Sequence, residues 1–309
     1  MAVNIRQLRA DAKLTLSPRL QTARKLVFIS QGVMLGVQVL LALLDVLLEV
    51  MMDGHGGLSG MPLRSVLSTV TAMVSLAASF LTPFWSAGLL FAFLGIAQQQ
   101  ECSTGDLTEG FRRFGPYLRY ILLTFLLIIG LSIGIVYLFS ILSAFLPTNP
   151  EFSAIIIENQ DAFFADPEAV LAQIPRHLLL EAMLSSLLLF LALFLIIMIP
   201  LLYRLRLADF AIMDKPGTGA LAAMSYSMRT MKGNCINAFK LDLHFWWYYL
   251  IAFVIGSIPQ LQPLLPFNSS VSHLLLYCIY ALGALTLNWY FMPLVQTTYT
   301  KFYLTLKGE

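Results

Sequence analysis

Apolar runs of 20 or more residues recur six times along this chain, and they leave few folds open. A helix of about 20 apolar residues matches the ~30 Å hydrocarbon thickness of a bilayer. Inside lipid every backbone N–H and C=O must find its partner within the segment, and a helix achieves that. A large soluble core is the competing explanation, and composition excludes it. Of the 309 residues, 58% are hydrophobic and 12% charged, whereas a soluble domain carries about 45–50% and 25%. The expected fold is all-α: a polytopic membrane helix bundle in the cell membrane, forming one integral domain over residues 1–309. The expected spans are 26–51, 61–97, 117–146, 177–203, 245–266 and 274–303. The first 24 residues are too polar and too long for the leading part of a signal peptide, so the first run is expected to remain as a span.

The second run is the ambiguous one. Its 37 residues would extend about 55 Å as one helix, and Pro83 lies within it, where a proline removes a hydrogen bond. The distribution of basic residues decides for one helix, because cytoplasmic segments carry the excess of Lys and Arg. With six spans and both termini cytoplasmic, 17 of the 19 Lys and Arg fall on the inner side, and only Arg64 and Arg176 fall outside. Two spans would send the six basic residues of the 204–244 segment outward.

The segments between spans carry helix punctuation. The loop 147–177 is acidic, with Glu151, Glu158, Asp161, Asp166 and Glu168. Asn149-Pro150 and Asp166-Pro167 each place a capping residue before a proline at the first helical position. Phe152, Ile155, Ile156, Phe163 and Phe164 give it an apolar side. One or two amphipathic helices on the outer face are expected, either packed over the bundle or lidding an outward cavity. On the cytoplasmic side, "GDLTEGFRRFGP" offers a capping box from Asp106 to Glu109 and a Leu107, Phe111, Phe114 face, with Arg112 and Arg113 away from it and Gly115-Pro116 as the stop. Such a helix is expected in the interface, its arginines towards anionic headgroups. In the 204–244 segment, Pro216-Gly217 breaks the fourth span and Thr218 can cap the next helix. Leu221, Met224, Met228 and Met231 share a face, and Gly233-Asn234 turns a corner. The following helix is expected to run into the bilayer through the aromatic belt of Trp246, Trp247, Tyr248 and Tyr249.

The segments "IRQLRADAKLTL", "TPFWSAG", "GDLTEGFRRF", "ADFAIMDKPGTGALAAMSYSMRTMKGNCINAFKLDLHFWWYYL" and "MPLVQTTYTKFYLTL" together resemble a bacterial integral membrane family, the domain of unknown function 975 family. The resemblance rests most on Met231-Lys232-Gly233-Asn234 followed by Phe239, Leu241, Leu243 and Phe245. His244 stands where that family usually has Ser, and Trp246-Trp247 replaces its Ile-Gly-Trp. The resemblance covers most of the chain in order, apart from the acidic loop. It implies a six-span topology and no assigned activity.

No motif for chemistry emerges. His55, His177, His244 and His273 have no i, i+4 partner, and a zinc site needs three or four converging ligands. "GHGGLSG" has no preceding strand and is read as an outer turn. Cys102, Cys235 and Cys278 form no CxxC pair and are expected as free thiols. No cofactor, metal, nucleic acid or catalytic role is expected. Ionisable and polar groups within spans are functional candidates, because burying them in lipid is costly. Asp45 and Glu49 share a face near the outer end of the first span, as an interfacial pair or a cavity lining. Asn288 lies mid-span, bonding a neighbouring helix or a solute, with Tyr290 close by.

Two functions follow. The first is a non-enzymatic scaffold or accessory protein, binding anionic lipid headgroups or a protein partner through Arg112, Arg113, Arg229, Lys232 and Lys240. The second is a small transporter or export factor for a lipid-like or amphipathic solute. It would use a cavity bordered by Pro83, Asn288 and Tyr290, where interrupted helices are tolerated.

Overall fold

A computed structural model describes residues 4–53, 61–145, 150–264 and 270–308, and these are helical or in short turns with no strand among them. In chain order the helices are α1 (Ile5–Leu16), α2 (Leu20–Asp53), α3 (Met61–Ala97), α4 (Glu109–Arg112), α5 (Phe114–Phe145), α6 (Pro150–Glu158) and α7 (Gln160–Ala165). They continue with α8 (Pro167–Gln173), α9 (Arg176–Leu205), α10 (Ala208–Asp214), α11 (Ala220–Thr230), α12 (Cys235–His244), α13 (Trp246–Gly256) and α14 (Ser270–Lys307). Among the described residues five helical segments are long and apolar enough to cross a membrane: Ile5–Leu44, Thr69–Ala97, Phe114–Ser143, Arg176–Asp214 and Leu274–Lys307.

The second apolar run is one helix, as the charge distribution requires: α3 is 37 residues long with Pro83 inside it. The fifth expected span is different. Phe245 leaves helical geometry (φ −105°, ψ 16°), and α12 and α13 meet there at a 64° bend. Only the two together match a span in length and composition. α13 has 11 residues, about 16 Å at ~1.5 Å per residue, and gives way to a 3₁₀ stretch at Ile258–Leu264 containing Pro259 and Pro263. The corner carries tertiary contacts that hydropathy does not register. The Phe245 ring is 1% exposed, with the Arg9 guanidinium 5.8 Å from its centroid and the Tyr299 ring at 6.3 Å.

The chain divides into two compact units, Met1–Arg119 with Arg206–Glu309, and Tyr120–Leu205. In the first unit α14 lies along α2, both touch α3, and α1 folds back onto α14. Its core gathers Leu16, Ala23, Leu26, Val27, Phe93 and Ile96 towards the end that carries α1. Elsewhere its long helices present apolar side chains outward, Met73, Leu76 and Leu282 among them, as lipid-facing surfaces do. In the second unit Phe139 meets Phe190 edge-on at 5.7 Å, and the acidic segment forms three short helices where one or two were expected. Asp166 caps α8, its Oδ1 accepting from the Ala169 N–H at 3.1 Å; the expected cap Asn149 lies outside the described residues.

Three local expectations change on packing. The capping box sits one turn earlier, with the Ser103 N–H donating to Asp106 Oδ2 at 2.8 Å, while Glu109 pairs with Arg112. Gly115-Pro116 does not end a helix. It lies in the first turn of α5, and the break is at Arg113. The expected aromatic face of the segment is also not left free for lipid. It is pressed onto α3, with Phe84 stacked on Phe114 (4.6 Å) and Phe111 (5.9 Å). Two glycines permit this approach: a Cβ on Gly88 would stand 1.9 Å from Leu107 O, and one on Gly110 1.8 Å from Phe84 O.

Around α11 the positive φ of Gly217 (83°) and Gly233 (84°) marks the two expected corners, positions glycine fills at little cost. The cap position is Gly219, not Thr218. The buried face of α11 is Ala220, Ala223, Met224 and Ser227, and Leu221 turns out. Ser227 sets that rotation, since its buried Oγ accepts the Leu207 N–H at 3.0 Å, a donor the break between α9 and α10 would leave unmatched.

Candidate functional site: a polar seam along α3

One face of α3 carries Thr71, Ser75, Ser79, Thr82 and Ser86, spaced by 4, 4, 3 and 4 residues. At ~100° per residue these fall within a single stripe. Gln31 and Gln38, two turns apart on α2, do the same. Three clefts of the first unit line up on these stripes. The far cleft, about 330 Å³, is lined by Gln38, Thr71, Ser75, Gln260 and Tyr277. The middle cleft, about 590 Å³, shares Gln38 and Ser75 with it and adds Gln31, Ser79, Thr82 and Trp85. The terminal cleft, about 320 Å³, is lined by Ser86, Tyr117, Arg206, Asp209, Gln296 and Tyr299.

The terminal cleft is held by ionic contacts. Arg206, just past the end of α9, grips Asp242 of α12 with both terminal nitrogens, one at 2.7 Å, and its guanidinium lies 4.4 Å over the Tyr299 ring. Tyr299 O–H donates to the same carboxylate, and Tyr249 O–H meets Tyr299 O–H at 2.9 Å. Across the cleft Tyr117 O–H donates to Asp209 at 3.2 Å. A bidentate Arg–carboxylate fork is directional as well as charged, so it pins α12 against the α9–α10 break and α14.

A hydrogen-bonded chain joins the terminal and middle clefts. Tyr248 O–H donates to Asn288 Oδ1 at 2.8 Å, and Asn288 Nδ2 donates to Gln31 Oε1 at 3.1 Å. Tyr248 lines the terminal cleft and Gln31 the middle one. In the middle cleft the indole Nε1 of Trp85 is buried without an acceptor among the described residues, an arrangement that invites a polar ligand atom.

The sequence-derived candidates divide. Asn288 is a bonding hub between three helices. Pro83 follows Thr82 of the middle cleft on α3. Tyr290 belongs elsewhere: two residues on, about 200° round the helix, it lines a separate cleft beside Arg24. None of these four clefts is bordered by Pro83, Asn288 and Tyr290 together. Arg112 is exposed and paired with Glu109 at 2.6 Å. Arg113 turns inward onto the carbonyls of Ile212 (2.9 Å) and Met213 at the end of α10, 5.1 Å from the Phe91 ring centroid. Arg229, Lys232 and Lys240 lie exposed on and between α11 and α12. Asp45 and Glu49 fall on α2, but their side chains lie outside the described ones. The aromatic belt is split: Trp246 is exposed, whereas Tyr248 and Tyr249 join the seam.

Arg206, Asp242, Tyr299, Gln31, Gln38 and the α3 hydroxyls are the members that reading the sequence missed. Nothing in their spacing pairs Arg206 with Asp242, 36 residues on. The α3 stripe did leave a signal that could have found it, as hydroxyls repeating every three to four residues inside an apolar run. Cys102, Cys235 and Cys278 are unbridged. Burial pushes the Cys102 thiol above its ordinary range, the charge of Asp106 adds to that, and Arg19 opposes it, which leaves less thiolate for reaction.

No curated protein matches the chain, and no solved structure does. Residues 4–309, a match that includes the acidic segment outside the noted resemblance, fit the family described as "Protein of unknown function (DUF975)", and the chain belongs to that family.

Proposed function

We propose that this protein passes a lipid-like or amphipathic solute across the membrane along the α3 seam. The observation that carries the reading is the alignment of three clefts on one hydroxyl stripe. A charged group at the bilayer centre faces a barrier of several kcal/mol. A polar groove in the wall of a bundle lowers that barrier for a headgroup, while the tails of an amphiphile stay in lipid. The Tyr248–Asn288–Gln31 chain then acts as the constriction, since a passing headgroup must replace its hydrogen bonds.

The test is a reconstituted vesicle with a fluorescent phospholipid in both leaflets and dithionite outside. Vesicles with the protein are expected to expose inner-leaflet probe at least about tenfold faster than protein-free ones, about 1.4 kcal/mol off the barrier. Ser75→Phe, which fills the seam where the far and middle clefts meet, is expected to return the rate to background. Transfer no faster than in empty vesicles would discard passage of phospholipids. It would leave the second reading, a non-enzymatic scaffold held to anionic lipid or a partner, which the exposure of Arg229, Lys232 and Lys240 favours.

The same proposal includes six crossings, with the bent α12–α13 pair as the fifth, and both termini in the cytoplasm. The exclusion of all but Arg64 and Arg176 from the outer side supports it. A cysteine replacing exposed Gln160 is expected to react with an impermeant maleimide on intact cells. One replacing exposed Thr305 should react only after the membrane is opened. The reverse pattern would invert the topology.

A further inference from the structure

A fourth cleft of the first unit, away from the seam, has a different chemistry. It measures about 790 Å³ and lies between the start of α2 and the middle of α14, lined by Gln21, Arg24, Lys25, Phe28, Trp289 and Tyr290. The Arg24 guanidinium stacks 4.9 Å from the Trp289 centroid and 5.3 Å from that of Tyr290, and the two rings are 4.8 Å apart. Stacking of this kind orients a guanidinium while leaving its N–H groups to seek acceptors. Among the described residues those acceptors are missing: Arg24 Nε is buried without a hydrogen-bond partner. Neither Arg24 nor Lys25 has an acidic partner or a hydrogen bond within the described residues. No carboxylate lines the cleft. Three other partly buried cations of the same unit have partners, Arg206 in Asp242, Lys307 in Asp214, and Arg113 in two carbonyls.

The remaining walls are apolar. Phe28 and Leu285 continue the cleft along the helices, and Phe28 is half exposed. The two cations directly precede Leu26, where the first apolar run begins. Two unmatched cations at the edge of an apolar run, an aromatic wall at the same level and a hydrocarbon surface continuing from it form the negative image of an anionic lipid. We propose that this cleft binds an anionic phospholipid, its phosphate held by Arg24 and Lys25 and one acyl chain lying along Phe28 and Leu285. A free phosphate shares the headgroup chemistry but makes no use of the apolar wall. The proposal rests on the membrane reading of the long helices and is independent of passage along α3.

The test uses Trp289 as the reporter. In nanodiscs of phosphatidylcholine, small equal amounts of dibrominated phosphatidylglycerol or dibrominated phosphatidylcholine are added, and tryptophan quenching is compared. The expected result is stronger quenching by the anionic lipid, with the excess lost in Trp289→Phe. The excess should also be lost in the Arg24→Gln, Lys25→Gln double variant and retained in Lys240→Gln. Should the double variant not fold, Lys25→Gln alone keeps the Arg24 stack and is expected to reduce the excess. Equal quenching by the two lipids on the native protein overturns the proposal. So does an excess that Lys240→Gln removes as fully, or one abolished by excess inorganic phosphate, which would make the cleft a small-anion site.

Discussion

A Gly110→Val chain is expected not to accumulate as folded protein. At Gly110 the obstacle to a side chain is backbone: a Cβ would lie 1.8 Å from Phe84 O and 2.9 Å from Gly88 N. A flexible side chain could yield there, but two main-chain segments cannot. The cost of overpacking is usually about 1–3 kcal/mol, and a backbone clash belongs at or above the upper end. Separating the segments would also open the stack of Phe84 on Phe111 and Phe114 and expose Leu107, which is 1% accessible. The check is size-exclusion chromatography of detergent extracts, followed by thermal melting of whatever is recovered. Gly115→Val is the control, because a Cβ there meets nothing within 4 Å. A monodisperse Gly110→Val protein with an unchanged melting point would mean that α4 does not lie on α3 at this distance.

Asp242→Ala is expected to carry the second largest effect. It removes the carboxylate that Arg206 grips with two nitrogens and that Tyr299 also donates to. Breaking a fully buried pair costs about 3–5 kcal/mol. Here the side chains are 27% and 22% exposed, so solvent screening brings the expected loss to about 2 kcal/mol. The double change Arg206→Met, Asp242→Leu is expected to recover much of that loss, since neither charge is then left unmatched. Melting of Arg206→Met, Asp242→Leu and the double variant, each against the native protein, forms a cycle whose coupling reads the pair directly. Purely additive losses would show that Arg206 and Asp242 do not act together. The same variants bear on the seam: losing the fork loosens α12 against α14, and lipid transfer should change with stability rather than with Ser75 alone.

Long-range pairing separates what was legible beforehand from what was not. Apolar length and charge placement act over one helix at a time, so the all-α class, the single 37-residue α3 and the corners at Gly217 and Gly233 could be read directly. The 64° corner at Phe245 could not, because an apolar run is equally compatible with a straight span. At that corner Phe245 packs under Arg9, 236 residues away in sequence, and against Tyr299. Arg113 looked like a headgroup-facing charge from its helical position. It became a cap for α10 only because the close approach at Gly88 and Gly110 brings the two elements together.

The seam divides in the same way. Its stripe on α3 is a periodicity and belongs to the sequence. That Gln31, Asn288 and Tyr248 meet, and that Arg206 finds Asp242, required three or more helices to dock. By itself the sequence determined which segments prefer lipid and where each helix can stop, because hydrophobic transfer and backbone capping are local free energies. The tertiary structure alone decided which polar side chains share a cleft, and which cations found no acidic partner among the described residues, because those depend on the geometry of distant partners.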